Sequence, residues 1–570
     1  DQTIPRSDPG TLASVQDSNL FKFIPSYLLV VYLNSFLFEV YLYIMLKDII
    51  KKKIENTIKK LSLPEVVFNI EKPEIEKFGD YSSNVCFLLV KELKKSPSEI
   101  AQLFIKELSK DKYFEKVEVA NNGFLNFFFK KDFIEKELQK FSASKIQPNK
   151  RIKKLKINIE FISANPTGLP HIGNGRAGFF GDVLANIFEF LGAKVQREYY
   201  INDAKVSKQI KELGKTAVGE GTSYLTDYLK KKIEAIKSKI ERLKERIRDD
   251  KEKLYSEAGF LLTKEVMKDI KKFVTKDLKI KFDVWRSEQE LFDKSYIKKI
   301  LNFLNKKGLT YEKDGALWIK TSDFGDSQDW VLVRSTGEPS YLLSDIAYHK
   351  FVKFKFNKVI EFFGADHQAH KKRMEVIAKM LGFKGDLNIL ITQLVNLKEG
   401  KMSKREGRVI YLKDLIDEVG LDSARFFYLQ KSIDSQMVFD MELAKERSQK
   451  SPVYYCQYAL VRCKSILRKS KKKNVKVKKI ILKDHEEILL AKEVLRFPEV
   501  LHNIANNLQV HLLINYTISL ADKFHNFYHS CNVLTAEKEL KESRLLLVKK
   551  VAETFEVIFD ILGISKPSKM

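Results

Sequence analysis

Pro170-His171-Ile172-Gly173-Asn174-Gly175 is the stretch that decides how this chain is read. Before it, Ile157, Ile159 and Phe161 alternate with polar residues, the period of a half-buried strand. After it, Val183, Leu184, Ile187, Phe188 and Leu191 recur at helical spacing. A strand, a glycine-bearing turn and a helix start make an anion site, because unpaired backbone N–H groups and the helix dipole face outward at the turn. Far downstream, Lys401-Met402-Ser403-Lys404-Arg405 follows the apolar stretch 387–397. A loop carrying two lysines can close on the same phosphates from the opposite side. The two segments together describe a nucleotide gripped between them.

Outward from this pair, the region 156–438 alternates strands and helices, which predicts an α/β fold. The expectation is a Rossmann-like, doubly wound catalytic domain over 151–440. Inside it, residues 228–256 are highly charged, with Ile233, Ile236, Ile240, Leu243, Ile247 and Leu254 in one apolar stripe. That reads as a helical insertion packing a single seam on the body. Residues 45–141 follow a helix, strand, helix, strand order and predict an N-terminal α+β module. One of its helices is expected to start at Phe87 and run past Pro97 to Ile105. Its last strands should turn at Asn121-Asn122-Gly123. Residues 142–151 read as a basic linker, and 441–570 as an all-α C-terminal domain with a lysine-rich run at 469–479.

At 570 residues the chain is too long for one core and should hold several of about 100–200 residues each. Lys and Arg total 102 against 75 Asp and Glu, and a net charge of +27 suits a polyanionic partner. Cys86, Cys456, Cys463 and Cys531 show no C-x-x-C pair and no metal-ligand spacing with the histidines. Structural zinc is therefore not expected, and the cysteines suit a reducing cytosol. Residues 28–46 are apolar but broken by Asn34, Ser35 and Glu39, so no spanning helix is expected. Met45 is the first methionine, and residues 1–44 are expected to be a non-native or disordered extension outside the fold.

Phe161-Ile162-Ser163-Ala164-Asn165-Pro166-Thr167-Gly168 leads directly into the His171 turn, and Glu198-Tyr199-Tyr200-Ile201-Asn202-Asp203-Ala204 follows. Asp283-Val284-Trp285, Asp345-Ile346-Ala347-Tyr348-His349, Gly364-Ala365-Asp366-His367 and Tyr455-Cys456-Gln457-Tyr458-Ala459 come later in order. This series resembles the arginyl-tRNA synthetase family of class I aminoacyl-tRNA synthetases, over nearly all of the chain from Met45 onward. The resemblance implies a two-step reaction. Arginine's carboxylate attacks the α-phosphate of ATP, and the terminal ribose of tRNA(Arg) then takes the arginyl group. The implied partners are ATP as its Mg2+ complex, L-arginine and tRNA(Arg), handled by a cytoplasmic monomer with no membrane association.

By motif match, the resemblance assigns catalysis to His171, Asn174, Lys401 and Lys404. It assigns ATP contacts to Gly173, Gly175, Asp366, His367, Met402 and Ser403, with the two glycines letting adenosine approach the backbone. Arginine falls to Glu160, Asn165, Tyr341 and Asp345. Of these, Asp345 can grip a guanidinium through two parallel hydrogen bonds, which an ammonium cannot reproduce. tRNA contacts are assigned to Tyr81 and Asn84 in the N-terminal module and to Tyr458 and Arg462 in the helical domain. No protein ligand set for a metal is implied. His349, His370, His525 and His529 read as ordinary core or surface histidines. One departure stands out: Asn174 occupies a position where the general motif has His, and its amide stays neutral but still donates. Two alternatives remain at this stage, a synthetase for another amino acid or a non-catalytic tRNA-binding relative. The second should lack His171, Lys401 or Lys404, and all three are present.

Overall fold

Four short strands follow the first described helix, Leu46–Lys60. β1 (Ile70–Glu71), β2 (Tyr81–Ser83), β3 (Phe114–Val119) and β4 (Leu125–Phe129) form an antiparallel sheet in the order β1-β2-β4-β3. The Phe114 ring lies 5.3 Å from both Phe127 and Phe129, and helices Leu46–Lys60 and Pro97–Leu108 add Ile50, Ile54, Ile100 and Phe104 to this core. The helix expected to run past Pro97 does not. Two short turns, Val85–Leu88 and Val90–Leu93, end with Lys94 at φ 51, and a new helix starts at Pro97. Proline sits there at the first helical position, where its missing N–H costs nothing, and Ser96 and Glu99 close a capping box. The computed structural model describes residues 45–120, 123–146, 150–398, 410–471 and 477–570. The expectations for residues 1–44, for Asn121-Asn122 and for the Lys401–Arg405 motif fall outside them.

The central sheet is parallel throughout, in the order β12-β11-β5-β6-β7. Its strands are β5 (Lys156–Glu160), β6 (Lys194–Ile201), β7 (Val284–Ser287), β11 (Lys358–Gly364) and β12 (Asp386–Thr392). The order reverses between β5 and β11, and the crevice at the carboxyl ends of those strands is where a doubly wound sheet binds ligands. Helix Ile172–Phe190 returns the chain from β5 to β6. It lies so close that a Cβ on Gly181 would come 2.4 Å from the Phe161 ring. Three antiparallel strands, β8 (Thr310–Lys313), β9 (Ala316–Ile319) and β10 (Trp330–Val333), are inserted before β11, and a small parallel pair, β13 (Val395–Leu397) with β14 (Met437–Phe439), follows β12.

The charged insertion is helical. Ile236, Ile240, Ile247 and Leu254 of its stripe are buried. Its anchoring hairpin, helices Lys208–Val218 and Lys251–Lys272, meets backbone to backbone: a Cβ on Gly214 would stand 1.7 Å from the Tyr255 carbonyl oxygen. From Pro452 to Leu562 the regular elements among the described residues are all helices. Arg425, buried, joins this bundle to the catalytic domain by donating to Asp182 at 2.8 Å and to the Leu562 and Leu278 carbonyls at 3.1 and 2.8 Å. The N-terminal module docks on the same bundle through Lys72–Glu493 at 2.7 Å and Asp80–Lys492 at 2.6 Å. Among the described residues, no helix is long and apolar enough to cross a membrane.

Candidate functional site

His171 caps helix Ile172–Phe190. Its Nδ1 accepts the Gly173 N–H at 3.0 Å, while Asn174 Oδ1 accepts the His171 N–H at 2.9 Å. An acceptor at Nδ1 leaves the ring proton on Nε2, and burial pushes the imidazole pKa down, so His171 offers a neutral donor. Asn174 spends its carbonyl oxygen on the cap and keeps its amide –NH2 for a ligand. Lys401, Met402, Ser403 and Lys404 lie outside the described residues. The chain that follows them is pinned beside His171, because Ile172 N–H donates to Ile410 at 3.1 Å and Leu412 N–H to Pro170 at 2.9 Å. Gly175 has a packing role as well. It is buried, and a Cβ there would meet Leu412 Cδ1 at 2.8 Å and Tyr428 Cζ at 3.1 Å, so this glycine makes room for helix packing. At Gly173 the added atom would meet the His171 ring at 2.8 Å.

Beside this corner, Glu361, Glu160 and Glu198 stand abreast in register on β11, β5 and β6. Like charges so placed repel, and they persist only because cations reach them. Glu198 accepts from Asn158 Nδ2 at 2.7 Å and from Arg286 Nε at 3.0 Å. Tyr348, buried, presents one hydroxyl to Glu198 at 3.0 Å and to Glu160 at 3.1 Å. Lys353 bridges Glu160 and Glu361, and His349 Nε2 lies 3.1 Å from Glu361. Burial opposes the charge on Lys353, but Glu160, Glu361 and Glu198 raise its pKa overall. His349 is likewise raised, against burial, by Glu361. Burial would lift Glu361, yet His349 and Lys353 hold it well below the usual carboxylate range. Glu160 is raised, chiefly by burial.

After β5 the chain turns through two left-handed residues, Ile162 at φ 67 and Ser163 at φ 38, a costly conformation for a β-branched side chain. β6 holds it there: Tyr200 N–H donates to Ser163 Oγ at 3.0 Å and Tyr199 OH to the Ala164 carbonyl at 3.2 Å. Asn165, exposed, follows, accepting from Asn202 Nδ2 at 2.9 Å. Helix Tyr341–Tyr348 begins with Tyr341, which is exposed, and carries Asp345 one turn later, 3.0 Å from His370 Nε2. Next to Asp345 lies Glu288, buried, which burial and then Asp345 and Asp203 push up to about 8. The Tyr200 hydroxyl is buried and, among the described residues, has no hydrogen-bond partner; it is within electrostatic reach of Glu288, Asp345, Glu160 and Asp203. Asp366 and His367 are exposed on the turn that ends β11, 3.5 Å apart.

Of the residues expected to meet RNA, Tyr81 does not face solvent. It is 2% exposed and donates to Glu499 at 2.6 Å, helping to seat the N-terminal module on the helical bundle. Asn84 is half-buried on a groove of 460 Å3 that Asn69, Lys72, Phe78, Phe124 and Asn126 also line. On helix Pro452–Lys469, Tyr458 stacks on Tyr454 at 6.2 Å and on His525 at 6.0 Å. Arg462 lies 4.6 Å over the Tyr458 ring and 5.5 Å over Tyr528, making a half-exposed aromatic ladder.

Residues 137–440 match the family described as tRNA synthetases class I (R), catalytic domain. The chain belongs to the arginyl-tRNA synthetase family. Residues 46–129 match the arginyl-tRNA synthetase N-terminal domain, and 456–570 the DALR anticodon-binding domain. The chain is 39% identical to an arginine–tRNA ligase of Aquifex aeolicus, over 92% of this chain and 100% of that one. It is 38% identical to one of Caldanaerobacter subterraneus, over 92% and 98%. In fold it is similar to arginyl-tRNA synthetase of Thermus thermophilus, with a TM-score of 0.76 at 22% identity over 92% of this chain and 100% of that one. Membership carries the enzyme class with it: an ATP-using ligase that activates arginine and charges tRNA.

Within this family member, sequence reasoning missed Glu288, Tyr200, Lys353, Arg286 and Glu361. It also set aside His349 and His370, which the fold brings against Glu361 and Asp345. The available signal was Tyr348, His349 and Lys353 on one helical stretch, polar or ionisable groups set among Ile346, Ala347, Phe351 and Val352. Among the described residues, one carboxylate and thiol cluster has metal-ligand spacing, Asp484, Glu487 and Cys531, but Arg544 ion-pairs with both of its acids.

Proposed function

We propose that this chain makes arginyl-adenylate from L-arginine and ATP at the β5/β11 crevice and passes the arginyl group to tRNA(Arg), acting as a cytoplasmic monomer. The observation that carries the choice of amino acid is the acidic setting made by half-buried Asp345, buried Glu288 and the Tyr200 hydroxyl, which has no hydrogen-bond partner among the described residues. A planar cation with five donors satisfies such a pocket in a way that lysine's ammonium does not. Leaving those groups unpaired penalises a wrong ligand, so the site discriminates without an editing step. In this reading Tyr341 covers the guanidinium, and Glu160 and Asn165 take the α-amino end.

Activation is displacement at phosphorus, in which positioning and charge stabilisation do the work. His171 donates from Nε2, and Asn174 from its amide, to ATP phosphate oxygens at the helix N-terminus. Lys401 and Lys404 complete the phosphate grip, with Asp366 and His367 at the nucleoside side. Magnesium enters as the ATP complex and adds charge neutralisation at the phosphates. The half-exposed ladder of Tyr454, Tyr458 and Arg462, backed by buried His525, suits unstacked anticodon bases, and the groove at Asn84 suits a nucleotide of the tRNA body.

The test is ATP–pyrophosphate exchange with each amino acid, with and without tRNA(Arg). Arginine alone should support exchange, and Asp345→Ala should abolish it in a protein with an unchanged melting temperature. Exchange with a different amino acid, or an unchanged arginine KM in Asp345→Ala, would overturn the assignment.

A further inference from the structure

Three glutamates abreast on neighbouring strands are answered by three cationic groups, Lys353, Arg286 and His349, and the set is largely closed to solvent. Lys353 is the member in the middle. It is wholly buried, and its Nζ touches Glu160 on one side and Glu361 on the other. Glu361 has no oxygen left over: Oε1 accepts from Lys353 and Oε2 from His349. His349 is also fully engaged. Its Nδ1 lies 2.8 Å from the Asp345 carbonyl oxygen, which can only accept, and its Nε2 faces an ionised carboxylate. Both ring nitrogens must therefore donate, which makes the ring an imidazolium.

Glu160 differs from Glu361 in one respect. Lys353 and Tyr348 both use its Oε2, and among the described residues Oε1 accepts nothing from the protein. One oxygen is fastened and the other is offered. At the far end, the Asp345 carboxylate is held from outside by His370 while its backbone is held from inside by His349.

We propose that Lys353 is a positioning residue for arginine: it fastens Glu160 and, through Glu361 and His349, ties it to the backbone of Asp345, setting the span that arginine must bridge. The inference rests on the reading of Glu160 and Asp345 as contacts to the two ends of arginine. A span fixed by four hydrogen bonds, the inner two buried and the outer two part-buried, is preorganised, so little ordering is left to be done on binding. The competing role is neutralisation alone, in which any arrangement that balances the buried charge would serve equally well.

Two variants separate the roles. Lys353→Met removes the cation, leaving Glu160 with the Tyr348 hydroxyl alone and Glu361 with His349 alone, which is expected to lower the melting temperature. Lys353→Met/Glu361→Gln removes one charge of each sign and should recover much of that loss, because a buried pair replaced as a pair costs far less than one broken. In ATP–pyrophosphate exchange with tRNA present, both variants are expected to raise the arginine KM by about tenfold or more, with the ATP KM unchanged. A double variant with recovered stability and wild-type arginine KM would overturn the proposal, since charge balance would then be all that Lys353 supplies. Glu160→Gln separates the underlying reading from the inference. If it leaves the arginine KM unchanged, Glu160 is not an arginine contact and both fall. If it raises that KM while the double variant does not, the contact stands and the positioning role fails.

Discussion

At the proposed arginine site, Glu288 holds a proton at pH 7 that arginine should expel. Burial first, then Asp345 and Asp203, push Glu288 up to about 8 from an ordinary 4.5. About nine-tenths of this carboxyl is then protonated at pH 7. A guanidinium set against Asp345 and Glu288 inverts the electrostatics, because an opposite charge within about 4–6 Å favours the carboxylate. Arginine binding at pH 7 is therefore expected to release about 0.9 proton from Glu288. Only about a tenth of the site is ionised beforehand, so affinity at pH 7 should be about tenfold, or about 1.4 kcal/mol, weaker than at pH 9. Calorimetric titration of arginine in buffers of different ionisation enthalpy measures the protons released directly. Glu160 and Asp203 are also raised by burial and add a background, which Glu288→Gln leaves in place. The variant should release fewer protons, bind arginine more weakly and lose most of the pH dependence. Equal proton release in wild type and Glu288→Gln would refute the reasoning. The same shift bears on stability without ligand. The folded state binds the Glu288 proton more tightly than the unfolded chain does. Its stabilisation is therefore complete below about 4.5 and is lost as pH rises towards 8, a slope that Glu288→Gln should flatten.

Gly214→Ala puts a methyl 1.7 Å from the Tyr255 carbonyl oxygen, a backbone atom that cannot swing aside. It should cost roughly 1–3 kcal/mol or more, and an unchanged melting temperature would contradict the backbone contact between the two helices. Arg462→Ala removes the cation over Tyr458 and Tyr528. The tRNA KM should rise by the equivalent of about 1–3 kcal/mol, with the arginine KM unmoved and the salt dependence of tRNA binding shallower by about one counterion. Steady-state charging at several salt concentrations reports all three quantities.

Much of this architecture was legible because it is written locally. The alternation around Ile157 and Ile159, the capped turn at His171 and the apolar run to Phe188 lie within one short segment, and each became the element expected. Pro97 was legible too and was misread: Ser96-Pro97 with Glu99 announces a helix start, while the apolar residues on either side suggested continuity. The pocket was less accessible to sequence because parallel pairing assembles it from distant strands. Glu198 and Glu361 reach Glu160 only through strand register, and nothing near residue 160 announces either. Glu288 follows β7 and Tyr200 lies on β6, so their convergence on Asp345 depends on how helix Tyr341–Tyr348 settles over the sheet. Tyr81 failed for a similar reason. Its surface became an interface once the C-terminal helices folded against it, a docking that no local pattern signals. Gly175, expected from the motif to let adenosine approach, has its missing Cβ facing Leu412 and Tyr428, a packing contact across helices that the local sequence does not announce.

The six groups across β11, β5 and β6 also constrain how this sequence can drift. Breaking a buried ion pair by removing one partner costs about 3–5 kcal/mol, a large share of a domain's total of about 5–15. The toll should be lightest at Arg286 and Glu160, which keep 18% and 13% of their side-chain surface in water, and heaviest at Lys353 and Glu198, which keep none. Each position is thus a poor first step on its own, whatever lies beyond it. A descendant that abandons this cluster has to lose an acid and a base together, and the mutational routes that start with a single change are closed by the residues left behind.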